Sequence, residues 1–513
     1  MTPPAAYHAE THEVARNRVW PVLAPLSVLL IGFTLFFAGL RLVRSESVFY
    51  YTEGPVLGSL AALEQDGGLT ALYPADGWQE PPTVLTLYPP TYFLLSATMD
   101  AIAGSGGTFF GLRFVSLVAL VGVLVALGIF ARSRRVPVPW LLALTGAALV
   151  TPGVYTVSGA AQADFTALLW TWVGIMAIRG EPDRRRLALA GGWFLLAFFT
   201  KQSFVAAPAA LSASLILSGR RREAVIVPVA LAAAALAGIL FLDRLTGGGY
   251  AANTIGALAG GAKWANLTST VGASEPLQWV PLTLVVLVCA RGRLRAGFPE
   301  LYLATSMALH TAAMLKTGSS VNYMLEPTFA LILLAVWRWP EPRDQEAPSS
   351  ATGARPLRVA PALVVLLALG VALTAARAVW RELPNVRGWI GMPGPVRVAE
   401  FEGFPLTDTF FFPAVLERGG RPWLNDPFAF GALEEVGGWD PSGLVEALES
   451  RRVPFALTMV DLGPAPAPPG VGSRELVMGY FWRSSPIWAA VTENYRVLGS
   501  EPLFLWVPQE VAP

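Results

Sequence analysis

The chain has 513 residues, of which 54% are hydrophobic and only 14% are charged, and its mean hydropathy is +0.50. Soluble domains carry about 25% charged residues, so this chain has too few charges to cover a soluble protein of its length. The 37 basic and 36 acidic residues leave a net charge of +1, which creates no field that would attract nucleic acid. The composition argues against a soluble enzyme, a disordered chain and a nucleic-acid binder, and it predicts an integral membrane protein.

Apolar stretches of about 20 residues, long enough to cross a bilayer, recur along the chain, and the first covers residues 20–42. It is longer than the apolar core of a signal peptide and has no small-residue cleavage site before Arg41. We therefore predict an uncleaved anchor that follows a cytoplasmic N-terminus, residues 1–19. The membrane domain is expected to cover 20–380, with further spans at 112–131, 138–155, 164–179, 187–200, 203–218, 223–243, 276–291, 298–314, 322–339 and 359–380.

Residues 89–104 are also apolar, but the distribution of arginine predicts that they dip into the membrane without crossing it. If this segment crossed, Arg132, Arg134 and Arg135 would lie outside, and every later arginine cluster would be inverted. If it is re-entrant or interfacial, five arginine-rich loops all face the cytoplasm, as the positive-inside rule requires. We therefore predict about eleven transmembrane helices, with the N-terminus in the cytoplasm and the C-terminus outside. The strong bias toward arginine over lysine suggests a bacterial protein, located in the inner membrane.

Three regions are expected outside the membrane: the loop 43–111, the loop 244–275 and the C-terminal tail, residues 381–513. The tail is less hydrophobic than the rest, and it alternates β-like runs at 454–460 and 502–507 with helical stretches such as 443–452. This alternation predicts a small extracytoplasmic α/β domain. The expected fold is thus an α-helical polytopic membrane domain followed by that small domain.

Ionisable residues inside or beside a membrane are costly, so each is a candidate for function. In the predicted topology these candidates share the outer face, where all three lysines of the chain also fall. Glu53 follows the first span, Asp164 begins a later span, and Lys201 separates two short apolar runs. The other polar and aromatic candidates on this face are Tyr88, Tyr92, Lys316, Asn322, Tyr323 and Glu326.

A cavity that holds carboxylates, lysine and aromatic rings suits a phosphorylated lipid that carries an activated sugar. Lysine or arginine would pair with the phosphate, and a carboxylate would take the proton of an acceptor hydroxyl as general base. Tyrosine and tryptophan faces would stack on the sugar ring.

At these positions the sequence resembles the bacterial GT-C glycosyltransferases that use polyprenyl-phosphate sugars. This superfamily includes the protein O-mannosyltransferases and the lipid A aminoarabinose transferase, and the resemblance is closest to its rhizobial lipopolysaccharide-core branch. It covers nearly the whole chain. The motifs that carry it are EGPVL at 53–57, YP at 73–74, YPPTYF at 88–93, AD at 163–164, TKQS at 200–203, NYMLEP at 322–327, LNDPF at 424–428, SP at 485–486 and NYR at 494–496.

The resemblance implies transfer of a sugar from a polyprenyl-phosphate donor to a glycolipid, polysaccharide or protein acceptor on the outer face of the inner membrane. It implies inversion of the anomeric configuration and a place in the synthesis of lipopolysaccharide or another envelope glycan. The expected partners are the donor, the acceptor and membrane lipids, with no nucleic acid.

The resemblance also implies that an acidic residue in the first external loop is essential, and Glu53 occupies that position. Asp164 is expected to assist Glu53 in catalysis, while Lys201, Gln202 and Arg113 are expected to bind the donor phosphate. The residues expected to shape the substrate pocket are Tyr88, Tyr92, Asn322, Tyr323 and Glu326.

Two positions depart from the pattern of this group. Thr52 stands where many relatives have a second acidic residue, and Gln162 stands where relatives often have arginine. The first departure questions the role of an adjacent carboxylate, and the second removes one expected phosphate ligand.

Simpler structural roles stand beside these functional ones. Glu53 would be favourable as a charge at a helix N-terminus, Asp164 as an N-cap, and Lys201 as a side chain that snorkels from a helix end. The prolines at 89 and 90 would simply start a helix. Asn322 and Glu326 would hold neighbouring helices together by hydrogen bonds.

No cofactor is certain and no metal site is predicted, since the sequence has no zinc-binding motif; a divalent cation shared by external carboxylates stays an open alternative. Two other functions compete with glycosyl transfer. A lipid or polysaccharide transporter or flippase is disfavoured because no internal repeat appears and the charged candidates lie at one membrane edge. A catalytically inactive scaffold for envelope assembly is disfavoured because Glu53 is present.

Overall fold

A computed structural model describes residues 6–45, 52–65, 67–75, 78, 80–106, 108–180, 182–259, 264, 267–268, 296–316, 321–339, 403–407, 415–416, 420–435, 437–458, 486–498 and 504–509. The spans predicted at 276–291 and 359–380 lie outside these residues. The described membrane part consists of helices joined by turns and loops. Its helices are α1 (Ala6–Val43), α2 (Glu53–Gln65), α3 (Leu69–Leu72), α4 (Pro90–Ala103), α5 (Phe110–Ser133), α6 (Val138–Leu149), α7 (Pro152–Val157), α8 (Asp164–Ala177), α9 (Arg184–Thr200), α10 (Ala206–Leu217), α11 (Arg221–Leu245), α12 (Gly249–Thr254), α13 (Phe298–Ala313) and α14 (Leu325–Trp337).

Three of these helices are long and apolar enough to cross a membrane: the part of α1 from Ala24 to Val43, and the whole of α5 and α11. Shorter apolar helices pack beside them, among them α6, α8 and α10. The chain is therefore a multi-pass membrane protein, as its composition predicts. The number of spans stays a prediction. Helix α4 has 14 residues, the same length as α8, so length alone does not separate a re-entrant segment from a crossing one.

Close helix packing explains how this bundle buries its apolar residues. The main core is formed by side chains of α5, α6, α8, α9, α10, α13 and α14. A Cβ atom on Gly174 of α8 would lie 2.6 Å from the Phe194 ring of α9, so only glycine permits this approach. Gly159, at a φ of +66°, likewise brings the turn before α8 against Ala38 of α1. These contacts fix the start of α8 relative to α1 and α9.

The C-terminal tail contains a four-stranded sheet with the order β1-β2-β4-β3. Its strands are β1 (Leu406–Thr407), β2 (Ala456–Thr458), β3 (Tyr495–Leu498) and β4 (Phe504–Pro508). β1 pairs with β2 in parallel, and β4 pairs with both β2 and β3 in antiparallel register. Helices α15 (Pro427–Glu435), α16 (Ser442–Glu449) and α17 (Pro486–Asn494) accompany it. β2 lies within the predicted run 454–460, β4 overlaps the predicted run 502–507, and α16 overlaps the predicted helix 443–452. The small α/β domain as a whole stays a prediction.

The tail is joined to the loop 66–89 through backbone and side-chain hydrogen bonds. The amide of Thr83 donates to the Trp423 carbonyl at 2.8 Å, and the amide of Asn425 donates to the Thr83 carbonyl at 3.1 Å. The Asn425 side chain accepts from the Leu85 amide at 2.7 Å and donates to Ser59 Oγ at 3.2 Å. Asn425 is therefore held through both its backbone and its side chain. These bonds set the position of the next residue, Asp426.

Candidate functional site

Glu53 begins α2 and forms a fully buried ion pair with Arg113 near the start of α5. Arg113 Nε and Nη2 donate to Glu53 Oε1 and Oε2 at 3.0 and 2.8 Å, and the Ala161 amide donates to Oε1 at 2.8 Å. Arg113 Nη1 donates to the carbonyls of Arg41 and Arg44, both at 2.9 Å. Burial alone would raise the pKa of Glu53, but Arg113 and these hydrogen bonds hold that pKa below its ordinary value. Both carboxylate oxygens are thus occupied. Through these hydrogen bonds the pair joins α1, α2, α5 and the turn before α8.

A second buried pair lies where α8 begins and α9 ends. Lys201 Nζ donates to Asp164 Oδ1 at 2.6 Å, and Asn322 Nδ2 lies 3.4 Å from the same oxygen. Consecutive helices that pack side by side bring the start of one next to the end of the other, which places these two residues together. Within the described part of the chain, the buried Oδ2 atom of Asp164 accepts no hydrogen bond. This pair therefore keeps one strong acceptor unused.

Two tyrosine rings flank the ammonium group of this second pair. Lys201 Nζ lies 5.4 Å from the ring centre of Tyr88 and 5.5 Å from that of Tyr323, within the range of cation–π contacts. Both tyrosines are partly accessible, whereas Lys201 and Asp164 are buried. Burial, with a contribution from Asp164, raises the pKa of Tyr88 well above its ordinary value, so its hydroxyl stays protonated at neutral pH. The pair and its two rings thus place charged groups next to aromatic faces.

The two ion pairs are connected through residues 161–164. The Ala161 amide binds Glu53, the Gln162 side chain donates to Thr52 Oγ1 at 2.6 Å, and Asp164 begins α8 two residues later. Glu53 thus fixes the segment that carries Asp164. The Gln162 Oε1 atom is buried without a hydrogen bond from any described residue.

The structure divides the predicted site residues into groups. Asp164, Lys201, Tyr88, Asn322 and Tyr323 come together in the second pair and its surroundings. Arg113 and Tyr92 belong with Glu53, since the Tyr92 hydroxyl donates to the Leu112 carbonyl at 2.7 Å on the same helix as Arg113. Arg113, expected beside Lys201 as a phosphate ligand, is thus occupied by Glu53 and two backbone carbonyls.

Gln202 and Glu326 lie at the margins of the site. Gln202 Nε2 donates to the Leu87 carbonyl at 2.9 Å. The buried Oε1 atom of Gln202 accepts no hydrogen bond from a described residue. Glu326 Oε1 accepts from the Tyr302 hydroxyl at 3.0 Å, and Oε2 lies 3.3 Å from His310 Nε2 but accepts no hydrogen bond from a described residue. These contacts of Glu326 join α13 to α14.

Two ionisable residues beside the site had no predicted role. Lys316 lies just beyond α13, and burial lowers its pKa to about 8, with Asp426 and Lys201 both close enough to contribute. Asp426 is 8% exposed and its Oδ1 accepts from the Ala429 amide at the start of α15. Burial raises the pKa of Asp426 to about 6. The scarcity of lysine marked Lys316, and Asp426 lies in the LNDPF motif, but only the folded tail places Asp426 beside the site. These additions create no metal site: among the described residues, no three His, Cys, Asp or Glu side chains come together to hold an ion.

Most of the chain shares its fold with ArnT from Cupriavidus metallidurans, whose crystal structure contains undecaprenyl phosphate. The two superpose with a TM-score of 0.54 over 94% of this chain and 98% of ArnT, at 12% sequence identity. Identity this low establishes the fold and not the activity. The predicted GT-C fold, that of the aminoarabinose transferase, is thereby confirmed. The rhizobial branch within it stays a prediction.

Other comparisons are weaker. The oligosaccharyltransferase AglB of Archaeoglobus fulgidus superposes with a TM-score of 0.45 at 12% identity, over 94% of this chain and 74% of AglB, which is too low for an argument about fold. No known protein-family profile matches the sequence. The cytochrome c-type biogenesis protein CcmF of Pseudomonas fluorescens is 32% identical over 108 residues. That match spans 20% of this chain and 16% of CcmF, so it establishes no family.

Proposed function

We propose that this protein is a membrane glycosyltransferase that moves a sugar from a polyprenyl-phosphate donor to a glycan, lipid or protein acceptor. The reaction would take place on the outer face of a bacterial inner membrane, with the tail on that side. The observation that carries the proposal is the Asp164–Lys201 pair, a buried charge pair with an unused carboxylate oxygen and accessible tyrosine rings. It lies in a fold shared with ArnT, which was crystallised with undecaprenyl phosphate.

Lys201 and Lys316 are the cations that would receive the phosphate. A sugar-phosphate diester carries one negative charge, whereas the phosphate monoester that leaves carries close to two, because its second pKa is about 6. Lys201 already offsets the charge of Asp164, so the growing charge requires a further cation, and Lys316 lies close to Lys201. Cations placed where negative charge develops stabilise the transition state more than the bound donor.

Asp164 is the proposed general base. Its free Oδ2 would take the acceptor's proton as the acceptor oxygen attacks the anomeric carbon. The bond from that carbon to the phosphate oxygen breaks as the new bond forms, and the phosphate leaves with the electron pair. A single in-line displacement of this kind inverts the anomeric configuration.

Glu53 takes a different role from the one expected from the sequence. Both of its oxygens already accept hydrogen bonds from Arg113 or Ala161 inside the protein. We propose that Glu53 is a positioning residue that holds the segment 161–164, with Arg113 as its counterion. Tyr88, Tyr323 and Asn322 would contact the sugar.

Sugar transfer by the purified chain in liposomes tests this function. Wild type and Asp164→Asn would be incubated with a panel of radiolabelled polyprenyl-phosphate sugars and crude envelope acceptors. Asp100→Asn is the matched control, because Asp100 is another buried aspartate with an unpaired Oδ2 among the described residues, but it lies at the end of α4. We expect Asp164→Asn to slow transfer by about 10²- to 10⁴-fold, the usual contribution of a general base, and Asp100→Asn to leave it within a few fold.

Two outcomes would overturn the proposal. Equal transfer by wild type and Asp164→Asn would show that the base lies elsewhere. No transfer from any donor, together with movement of labelled lipid across the bilayer, would identify a flippase instead.

A further inference from the structure

A second concave surface lies between α9 and α11, away from the Asp164–Lys201 site. This cleft has a volume of about 550 Å³, within the range of about 300–1,000 Å³ that is usual for ligand pockets. Its walls are mainly aliphatic, and charged residues occur only at one end. It is lined by Arg184, Leu187, Ala188, Gly191, Gly192, Leu195, Arg222, Glu223, Ile226, Val227, Ala230 and Leu231.

Glycines control how far apart the two helices lie. A Cβ atom on Gly238 of α11 would clash with the Phe199 ring of α9, so the helices touch near the end of α9 that leads to Lys201. At Gly191 a Cβ atom would lie 3.2 Å from Leu231, and at Gly192 it would meet nothing within 4 Å. The cleft therefore opens toward the beginning of α9. Pro228, inside α11, lies in the same open half, and proline is a common cause of helix kinks.

Positive charge surrounds the open end. Arg184 and Arg222 are exposed at the mouth of the cleft, and no hydrogen bond or ion pair is found for either among the described residues. The acidic residue there, Glu223, pairs with Arg220 at 3.4 Å. Arg184 also lies close enough to act on the charge of Glu223, so Arg184, Arg220 and Arg222 together face one carboxylate. The mouth therefore keeps an excess of positive charge for an anion, directly above an apolar channel.

We propose that this cleft binds an anionic phospholipid, with an acyl chain between α9 and α11 and the phosphate between Arg184 and Arg222. Only 6% of the apolar window of α11 is buried in the protein, so lipid has access to the cleft from the side. Basic pockets between membrane helices favour anionic headgroups, and arginine pairs with phosphate in a two-pronged geometry. The 17 residues of α9 separate Arg184 from Lys201 by about 24 Å. The bound lipid is therefore distinct from a donor whose phosphate contacts Lys201.

Native mass spectrometry of the delipidated full chain tests this site, with phosphatidylglycerol and phosphatidylcholine of identical acyl chains as probes. An arginine that hydrogen-bonds a phosphate directly contributes about 10-fold to binding, so we expect Arg184→Gln/Arg222→Gln to weaken phosphatidylglycerol binding about 100-fold. Arg185→Gln/Arg221→Gln is the matched control, because it removes the same charge from exposed neighbours on the same helices that do not line the cleft. The control should bind within about threefold of wild type.

A second variant tests whether the acyl chain enters the cleft. Gly192→Leu fills the cleft and leaves both arginines in place, so it should weaken the binding of both lipids; Gly128→Leu, at another glycine with open space around it, should not. Equal losses in the two double-arginine variants would mean attraction to the general surface charge and would overturn the proposal. So would unchanged lipid binding by Gly192→Leu, or equal binding of the two lipids by wild type. A change of oligomeric state in Gly192→Leu alone would show that a second copy of the chain occupies the cleft.

Discussion

The Glu53–Arg113 and Asp164–Lys201 pairs are both buried, but they differ in how completely their polar atoms are used. Both oxygens of Glu53 accept hydrogen bonds, and Arg113 also donates to two backbone carbonyls. Asp164 instead keeps one buried oxygen without a described donor, and partly accessible rings surround Lys201.

This difference separates a structural pair from a reactive one. A buried acceptor without a hydrogen bond costs about 1–3 kcal/mol, so folding alone gives no reason to keep it. Glu53 and Arg113 find their hydrogen-bond partners within the protein, whereas Asp164 keeps its Oδ2 atom available to accept a hydrogen bond from a substrate. The two pairs should therefore respond differently to substitution.

The largest effect is expected for Arg113→Met, which leaves the Glu53 carboxylate buried without its counterion. Breaking a buried pair in this way costs about 3–5 kcal/mol, so the temperature of half-unfolding in detergent should fall sharply by tryptophan fluorescence. The double variant Glu53→Gln/Arg113→Met should recover part of this loss because no charge is left unpaired. If the single variant is as stable as wild type, the Glu53–Arg113 pair is not structural.

Lys201→Met should weaken the binding of polyprenyl phosphate about 10- to 100-fold, since a hydrogen bond to a charged group contributes about 1.5–3 kcal/mol. The folded fraction of Arg113→Met should bind this lipid within about twofold of wild type, because Arg113 is fully engaged by protein groups. Titration of detergent-solubilised protein with the lipid measures both affinities. The reverse pattern would assign the phosphate to Arg113.

Asn425→Ala should loosen the tail from the loop 66–89 at a cost of about 1–2 kcal/mol, because the buried amide of Leu85 loses its acceptor. Limited proteolysis should then cut the tail faster, and sugar transfer should fall because Asp426 leaves the site. Asn494→Ala is the control, since Asn494 bonds only within the tail. Equal proteolysis of both variants would contradict the joining role of Asn425.

The smallest expected effect is on the pH dependence of lipid phosphate binding. Burial lowers the pKa of Lys316 to about 8, so Lys316 loses its charge as pH rises from 7 to 9. The affinity for polyprenyl phosphate should then fall about fivefold, which is the usual contribution of one cation. The free energy of unfolding changes in the opposite direction. The unfolded chain keeps the Lys316 proton up to a pKa near 10.5, whereas the folded chain loses it around pH 8. The folded state therefore gains stability as pH rises from 8 to 10.5. Lys316→Arg should abolish the fall in affinity. A fall of the same size in this variant would assign it to another group.

Much of the architecture was predictable because it depends on local patterns. Apolar runs located the longer membrane helices, such as α5, α8 and α11, and alternating composition indicated β2, β4 and α16. The pairing of Asp164 with Lys201 was also within reach, since the residues lie 37 apart at the adjoining ends of consecutive helices.

The roles within the site were harder to predict because they depend on distant contacts. Glu53 and Arg113 are 60 residues apart, and sequence pattern indicated only that both lie on one side of the membrane. The sequence pattern did not indicate that Arg113 would take up hydrogen-bonding positions on both oxygens of Glu53. The expectation that Glu53 is catalytic followed from this. Asp426 reaches Lys316 only through folding of the tail onto the loop, which no local pattern encodes.

The hydrogen bonds between Thr83, Leu85 and Asn425 also bear on how such proteins can be recombined. The tail and the loop 66–89 meet in one interface and therefore form one module. They are far apart in the chain: Leu85 and Asn425, which are hydrogen-bonded, are separated by 340 positions. A chimera that exchanges the tail alone would bring a foreign partner to Thr83 and Leu85. Grafts, whether natural or engineered, would have to carry both segments together to keep this interface intact.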